Sequence, residues 1–150
     1  MLNSNFLVLA GGFGTRLGNT IGDLPKVLAP VNEKPFLWYQ MNNWLAHGIT
    51  DFTFLLHYKA DLIINFLEEY KKSSALKLNL NFVIEDEPIG TVNALSLAYN
   101  KFEKKQVILR FGDNYTMFKE NEIQALRTTM YGNKKGATII TKVVSDPTQY

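Results

Sequence analysis

The segment FLVLAGGFGTRL, residues 6–17, begins with a short apolar run and continues into a loop that carries Gly11, Gly12, Gly14 and Arg16. The apolar run predicts a buried β-strand, and the glycines stand where that strand should end. Because glycine has no Cβ atom, the backbone N–H groups of such a loop can approach a ligand and turn toward it, as phosphate-binding loops do. Arg16 adds a fixed positive charge whose forked donors suit phosphate. The segment therefore predicts a phosphate-binding loop, with a tight turn that binds nothing as the alternative.

Two familiar glycine loops do not fit this segment. A P-loop ends in Gly-Lys-Ser/Thr, which is absent from the sequence. The dinucleotide fingerprint is Gly-x-Gly-x-x-Gly, whereas Gly12, Gly14 and Gly18 are spaced Gly-x-Gly-x-x-x-Gly. The fingerprint also requires an acidic residue after the second strand, where this chain has His57 and Tyr58. A dinucleotide-dependent oxidoreductase is therefore disfavoured.

Short β-branched and aromatic runs alternate along the chain with longer segments of helical period. The predicted strands are residues 6–10, 52–57, 80–85, 106–111 and 137–144, and the predicted helices are residues 35–47, 60–72, 91–100 and 120–130. This alternation predicts an α/β fold with a mostly parallel sheet covered by helices on both faces. Ligands bind beyond the carboxyl ends of the strands in such sheets, so the loops after Ala10, Glu85 and Phe111 are candidate site loops.

Lys26 lies in the segment LPKVLAPV, residues 24–31. Pro25 and Pro30 predict an extended backbone here, and the neighbours of Lys26 are otherwise apolar. A lysine in this setting can meet a second phosphate as a point charge. An ordinary surface lysine is the alternative.

The segment EDEPIGT, residues 85–91, follows the third predicted strand. A carboxylate such as Glu85 or Glu87 can accept hydrogen bonds from the amino or imino edge of a base. Gly90 permits a close approach of the backbone, and Thr91 is predicted to cap the next helix. The alternative is an acidic turn followed by a helix cap.

Asp113 stands directly after the fourth predicted strand and Gly112. A carboxylate in such a position is a suitable hard oxygen ligand for Mg²⁺. The alternative is a simple turn, because Gly-Asp-Asn is favourable turn chemistry. Since this loop and the two earlier ones lie at carboxyl ends of predicted strands, we expect them to face one cleft.

The composition limits the class of protein. The chain has 150 residues, of which 46% are hydrophobic, so it suits a single domain over residues 1–150. A net charge of +2 is too small to imply a nucleic-acid partner, and no apolar run is long enough to imply a membrane partner. The sequence contains no cysteine, which excludes disulfides and cysteine nucleophiles and fits a cytoplasmic location.

Taken together, these motifs resemble the sugar-1-phosphate nucleotidyltransferases, also called nucleotide-sugar pyrophosphorylases. The matching segments are LAGGFGTRL, PKVLAPV with KPFL, EPIGT and GDN, and the match runs from Leu7 to Asn114. The resemblance implies the nucleotide-diphospho-sugar transferase fold, a Rossmann-like three-layer sandwich. It also implies a reaction in which a sugar-1-phosphate oxygen attacks the α-phosphorus of a nucleoside triphosphate. The products are pyrophosphate and a nucleotide-sugar of the kind used in polysaccharide biosynthesis.

The resemblance further implies roles for individual residues. Arg16 steadies the triphosphate and the departing pyrophosphate, Lys26 stabilises charge near the α-phosphate, and Asp113 binds Mg²⁺. The remaining implied contacts to the nucleotide are Leu9, Ala10, Gly11, Gly12, Gly14, Thr15, Glu85, Gly90 and Thr91. Positioning and charge neutralisation dominate this kind of transfer, so no histidine or cysteine nucleophile is expected.

Within this family, the sequence most resembles guanylyltransferases that act on mannose- or heptose-type 1-phosphates. GTP is therefore the expected triphosphate. This resemblance rests on GDLPK, KPFL and EPIGT, at residues 22–26, 34–37 and 87–91. The GDN segment at residues 112–114 is closer to the thymidylyltransferase form. A thymidylyl- or uridylyltransferase acting on a hexose-1-phosphate is therefore the alternative.

Enzymes of this family are longer than 150 residues. We therefore expect the chain to hold the nucleotide-binding part and to lack the C-terminal sugar-binding part, which normally supplies a second Mg²⁺ ligand. One alternative is a truncated product, and another is a chain completed by a homo-oligomer or a complementing chain. A nucleotide-binding module without turnover is the alternative from a different functional class.

Overall fold

The computed structural model describes residues 5–14, 21–87, 90–99 and 107–116. All of these residues belong to a compact unit that covers Met1–Thr116. The predicted helix at 120–130 and the predicted strand at 137–144 lie outside the described residues. The assignment of residues 1–150 to one domain therefore stays a prediction.

The secondary structure follows the predicted alternation of strands and helices. The strands are β1 (Asn5–Leu9), β2 (Pro30–Val31), β3 (Lys34–Pro35), β4 (Asp51–Leu56), β5 (Asn79–Ile84) and β6 (Val107–Phe111), and the helices are α1 (Phe36–Ala46), α2 (Ala60–Ser73) and α3 (Thr91–Tyr99). Four predicted strands and three predicted helices are thus confirmed, with every boundary within one residue of the prediction.

The main sheet has the strand order β5-β4-β1-β6, and all its described pairings are parallel. β1 lies between β4 and β6, so Phe6 is in register with Phe52 on one side and Ile108 on the other. From β1 the chain proceeds outward to β4 and β5, and it then returns to the opposite side of β1 to form β6. The strand order therefore reverses between β1 and β6, which is where open α/β sheets bind their ligands.

Alternate residues of β1 enter cores on opposite faces of the sheet, as the two-residue period of a strand requires. Phe6 and Val8 belong to one cluster with buried residues of α1 and α2, namely Leu37, Met41, Trp44, Ile63 and Leu67. Leu7 belongs to a second cluster with Ala94 and Ala98 of α3. Helices thus cover both faces of the sheet, and the predicted three-layer arrangement is confirmed.

The segment at residues 24–31 differs from its predicted extended form. Lys26–Leu28 is a 3₁₀ turn, in which the Leu28 N–H donates to the Pro25 carbonyl at 2.8 Å. The two prolines fix only their own φ angles and bias the residue before each of them, so the residues between them are free to turn. The turn buries Val27 and Leu28, which an extended segment would expose.

The antiparallel pair of β2 and β3 was missing from the sequence prediction. Its turn is formed by Asn32 and Glu33, which have φ angles of 42° and 67°. Hairpin turns with two positive φ angles are usually recognised by a glycine, and this one has none. Asparagine tolerates the left-handed region, whereas a glutamate there is unusual, so the local signal for the turn was weak.

Leu67→Ala and Leu76→Ala test the helical layer with the same chemical change at two positions. Leu67 on α2 is fully buried, whereas Leu76 is 48% exposed. We expect Leu67→Ala to lower the free energy of unfolding by about 2–5 kcal/mol, because it removes buried methyl groups and leaves a cavity. Leu76→Ala should change it by less than about 0.5 kcal/mol. Urea unfolding followed by circular dichroism measures both values, and equal losses would contradict the described packing of α2.

Candidate functional site

A cleft of about 280 Å³ opens at the carboxyl ends of the strands, beside the reversal of strand order between β1 and β6. Nine of the residues predicted for the site line it: Leu9, Ala10, Gly11, Gly12, Lys26, Glu85, Gly90, Thr91 and Asp113. Gly14 lies close to the Lys26 side chain instead, since a Cβ atom at Gly14 would be 3.0 Å from the Lys26 Cβ, while Thr15 and Arg16 lie outside the described residues. The remaining lining residues, Phe13, Val27, Leu55, Ala94 and Phe111, were not predicted for the site.

Gly11 is required by the close approach of the β1 loop to the end of β4. A Cβ atom at Gly11 would lie 3.0 Å from the His57 backbone nitrogen and 3.3 Å from the Leu56 carbonyl carbon. Both neighbours are backbone atoms of a packed sheet, which cannot move aside easily. The Ala10 N–H donates to the Leu55 carbonyl at 2.9 Å, which continues the pairing of β1 and β4 into the loop.

Gly12 has different surroundings from Gly11. A Cβ atom at Gly12 would meet no described atom within 4 Å. This part of the loop therefore exposes its backbone to the cleft, which is the arrangement expected of a loop that holds phosphate through N–H groups. Gly14 has a φ angle of 67°, and the loop passes close to Lys26 there, because little room is left for a Cβ atom beside the lysine stem.

Lys26 and Asp113, which come from distant parts of the sequence, form an ion pair with an Nζ to Oδ2 distance of 2.7 Å. Their side chains are 33% and 39% exposed, so solvent screens the pair and its net stabilisation is small. The structure thus brings together two of the three residues to which the resemblance gave catalytic roles. Both charged groups face the cleft next to the open backbone of Gly12.

Asp113, the predicted Mg²⁺ ligand, lines the cleft with an exposed side chain. Within the described residues, no group of three or more histidine, cysteine, aspartate or glutamate side chains is placed to hold a metal ion. Mg²⁺ commonly binds through one or two carboxylates together with substrate phosphates and waters. The donor set therefore fits a magnesium ion that binds with a triphosphate, since a single exposed carboxylate stands beside the glycine loop.

The turn that carries Asp113 is held from two directions. The Gly112 N–H donates to the Leu9 carbonyl at 2.8 Å, and the buried Gln40 Nε2 donates to the Gly112 carbonyl at 2.8 Å. Asn43 Nδ2 donates to the Thr116 carbonyl at 2.8 Å. Sequence reasoning missed Gln40 and Asn43, the two α1 residues that hold this turn. A signal existed for Gln40, because it is a polar residue among the apolar positions that form the buried stripe of this helix.

Glu85 is fixed by its backbone at the end of β5. Its N–H donates to the Leu56 carbonyl at 2.8 Å, and its carbonyl lies 2.9 Å from His57 Nδ1. Because a carbonyl only accepts, the His57 Nδ1 carries the proton in this contact. The Glu85 Oε1 atom is buried and has no hydrogen-bond partner among the described residues. The side chain therefore brings an unused acceptor to the wall of the cleft.

The first turn of α3 also faces the cleft, through Gly90, Thr91 and Ala94. The Ala94 N–H donates to the Gly90 carbonyl at 3.0 Å, which places Gly90 at the N-cap position. The prediction that Thr91 caps this helix is therefore wrong, because Thr91 is already its first residue. Gly90 has a φ angle of 79°, a conformation that a threonine would adopt only with strain.

Phe13 forms an aromatic group at the rim of the cleft. Its ring centroid lies 5.3 Å from that of His57 and 5.2 Å from that of Tyr58. Phe13 remains 47% exposed, so the group presents an apolar ring to solvent.

No described helix is long and apolar enough to cross a membrane.

Comparison with protein-family models matches residues 5–150 to the family described as nucleotidyl transferase. A D-glycero-alpha-D-manno-heptose 1-phosphate guanylyltransferase of Campylobacter jejuni is 36% identical over 109 residues, covering 73% of this chain and 47% of that protein. A mannose-1-phosphate guanyltransferase of Schizosaccharomyces pombe is 31% identical over 144 residues, covering 96% of this chain and 39% of that protein.

Among solved structures, HddC from Yersinia pseudotuberculosis, complexed with GMP-PN, matches with a TM-score of 0.71 and 32% identity. The match covers 84% of this chain and 53% of that chain. The shared fold agrees with the one implied by the sequence. The chain spans about half or less of the length of these relatives.

Alanine substitutions at Gly11 and Gly12 test the geometry of the loop. Gly11→Ala should lower the free energy of unfolding by about 1–3 kcal/mol, because its Cβ would press on the β4 backbone. Gly12→Ala should stay within about 0.5 kcal/mol of the parent, since its Cβ would meet open space. Urea unfolding measures both values. A loss at Gly12 as large as that at Gly11 would refute the described loop.

Proposed function

Because the chain belongs to the nucleotidyl transferase family, we propose that it forms the nucleotide-binding part of an enzyme that transfers guanylyl from GTP to a mannose- or heptose-type 1-phosphate. Family membership confirms the resemblance found in the sequence. Support for this choice of substrates comes from the names of the Campylobacter and Schizosaccharomyces relatives. The observation that carries the proposal is the convergence of the glycine loop, Lys26, Asp113 and Glu85 on one cleft where the strand order reverses.

The proposed reaction is a displacement at the α-phosphorus of GTP. An oxygen of the sugar-1-phosphate forms a new bond to that phosphorus, and the bond to the bridging oxygen breaks as pyrophosphate leaves. Such transfers need little covalent help from the protein, so the residues act by placing the reactants and neutralising charge. Backbone N–H groups near Gly12 and the Lys26 ammonium are proposed to bind the α-phosphate. Arg16, which lies outside the described residues, is proposed to steady the leaving pyrophosphate.

Asp113 is proposed to hold Mg²⁺ together with the phosphates of the nucleotide. An ion held there would supply positive charge that offsets the negative charge of the phosphates. Lys26 is the charged side chain of the protein nearest to this carboxylate in the described ranges, at 2.7 Å. Asp113 therefore orients the lysine as well as offering an oxygen ligand.

Glu85 is proposed to select guanine. Its ionised carboxylate only accepts hydrogen bonds, and guanine offers adjacent N–H donors on its imino and amino groups, whereas adenine places an acceptor beside its amino group. The buried Oε1 without a described partner needs a donor from the ligand to offset its desolvation. Sites that hold such a buried polar group discriminate strongly against ligands that leave it unpaired.

Nucleotide selection can be measured by a thermal-shift panel of GTP, dTTP, UTP, CTP and ATP, each with Mg²⁺. We expect GTP to raise the melting temperature most, because a ligand that binds only the folded state stabilises it. A larger shift with dTTP or UTP would instead support the thymidylyl or uridylyl alternative.

Glu85→Gln should weaken GTP binding about tenfold or more, which corresponds to about 1.4 kcal/mol, because the new amide can turn a donor toward the guanine donors. Glu87→Gln is the matched control, since Glu87 is exposed on the same turn. Isothermal titration of both variants with GTP measures the difference. Equal affinities would remove Glu85 from base recognition.

Lys26→Ala and Arg16→Ala should each reduce turnover by orders of magnitude while the fold persists, because each removes charge that offsets the phosphates. Lys72→Ala, at an exposed position on α2, is the control. Pyrophosphate release with GTP, Mg²⁺ and mannose- or heptose-1-phosphate measures turnover. Near-normal activity in either variant would exclude that residue from the mechanism.

A second candidate is a nucleotide-binding module without turnover. The residues that favour it are those of the described cleft, which suit a bound nucleotide whether or not transfer follows. Stabilisation by GTP without pyrophosphate release for any sugar-1-phosphate would support it. A cytoplasmic location and association with a second copy or a complementing chain stay predictions.

A further inference from the structure

Two amide side chains on α1 bracket the turn that carries Asp113. Gln40 Nε2 donates to the Gly112 carbonyl, and Asn43 Nδ2 donates to the Thr116 carbonyl, both at 2.8 Å. Residues three apart lie on the same face of a helix, so the two amides act side by side. The carbonyls that they hold lie on either side of Asp113 in the sequence.

The bond from Gln40 fixes the peptide plane from which Asp113 projects. A peptide unit is planar, so the Gly112 carbonyl and the Asp113 nitrogen move together. The Gly112 N–H is held separately by the Leu9 carbonyl at 2.8 Å. A Cβ atom at Gly112 would lie 3.0 Å from the Leu9 oxygen and 3.1 Å from Val27 Cγ1, so the backbone is also confined sterically.

The stability of the core does not explain the presence of Gln40. The side chain has no exposed surface, and its Oε1 atom is buried with no hydrogen-bond partner in the described parts of the chain. The cost of the unpaired oxygen offsets part of the free energy gained by the bond to Gly112, so the net contribution of Gln40 to stability is small. Only the donor end of Gln40 has a described partner, and that partner belongs to the Asp113 turn.

We propose that Gln40, assisted by Asn43, is a positioning residue that sets the direction of the Asp113 carboxylate toward the bound metal and triphosphate. This inference rests on the proposed function, because it assigns a purpose to the same cleft. Gln40 acts through the Gly112 peptide and touches neither the nucleotide nor the metal. Asn43 limits the movement of the far end of the turn, so its contribution is the smaller of the two.

Gln40→Met tests the inference because methionine has a similar volume and no donor. We expect only a small change in its melting temperature, because the Gly112 carbonyl loses its donor while the unpaired Oε1 atom is removed. The affinity for Mn²⁺ in the presence of GTP should fall about 10- to 100-fold, as found when groups that orient metal ligands are removed. GTP affinity without metal should stay unchanged. Electron paramagnetic resonance of free Mn²⁺ measures the metal affinity without any need for turnover.

Asn43→Ala provides a second variant at a half-buried position, and we expect a smaller loss of Mn²⁺ affinity in the same direction. Asn42→Ala is the matched control, because the Asn42 amide bonds only to the Trp38 carbonyl of its own helix among the described contacts. It should leave the Mn²⁺ affinity unchanged.

The outcomes separate this inference from the proposed function. If the parent protein binds GTP and Mn²⁺ but Gln40→Met and Asn43→Ala bind Mn²⁺ as tightly, the positioning role is overturned and the proposed function stands. A loss of metal affinity in Asn42→Ala equal to that in Gln40→Met would also overturn it, since the effect would then belong to the helix in general. If the parent binds no GTP, the proposed function fails and the inference falls with it.

Discussion

The parallel pairing of β1 on both of its edges is the constraint on which the rest of the structure depends. β1 is hydrogen-bonded to β4 and β6 at once, so the loop that follows it runs between the ends of two other strands. Gly11 fits against the backbone of β4, and Gly112 fits against the Leu9 carbonyl. Side chains are excluded at both positions by backbone atoms. The packing of the strands by itself therefore accounts for glycine at these two positions.

The ion pair at the cleft is accessible to solvent. Lys26 and Asp113 lie 2.7 Å apart, with about a third of each side chain exposed. Pairs of this exposure contribute only about 0–1 kcal/mol, because water and salt compete for both groups. Phosphate oxygens carry more concentrated negative charge than the Asp113 carboxylate, and a divalent cation carries more concentrated positive charge than the Lys26 ammonium. The pair therefore keeps both groups in place without binding them too tightly for a ligand to compete.

Local patterns in the sequence predicted most of the described fold and many of the residues that line the cleft. Apolar runs located the four strands of the main sheet, and the rule for parallel sheets placed the loops after them at one edge. The hairpin turn at Asn32 and Glu33 was missed because its two positive φ angles occur without glycine. The turn at Lys26–Leu28 was missed because burial of two apolar residues outweighed the expected effect of the flanking prolines. The second of these conformations depends on tertiary packing, whereas the first is a local turn with an unusual sequence.

Gln40 shows a different limit of sequence reasoning. Its place on the buried stripe of α1 is readable from the spacing of apolar residues, but its partner is 72 residues away. Nothing local indicates which carbonyl a buried amide will meet. The pattern reveals that a polar group must be satisfied inside the core, and only the topology identifies the turn that satisfies it. A polar residue on an otherwise apolar helical stripe is thus a pointer to long-range structure rather than an error in the pattern.

α1 connects the two charged groups of the cleft through its own attachments. At its start, the Phe36 N–H donates to the Ala29 carbonyl at 2.8 Å, which ties the helix to the end of the turn that carries Lys26. One turn further along, Gln40 holds the peptide before Asp113. The lysine and the aspartate are 87 residues apart in sequence. The turns that carry them are nevertheless both hydrogen-bonded to the same helix. α1 is thus a common attachment for both turns, in addition to the bond by which the Leu9 carbonyl of the sheet holds the Gly112 N–H.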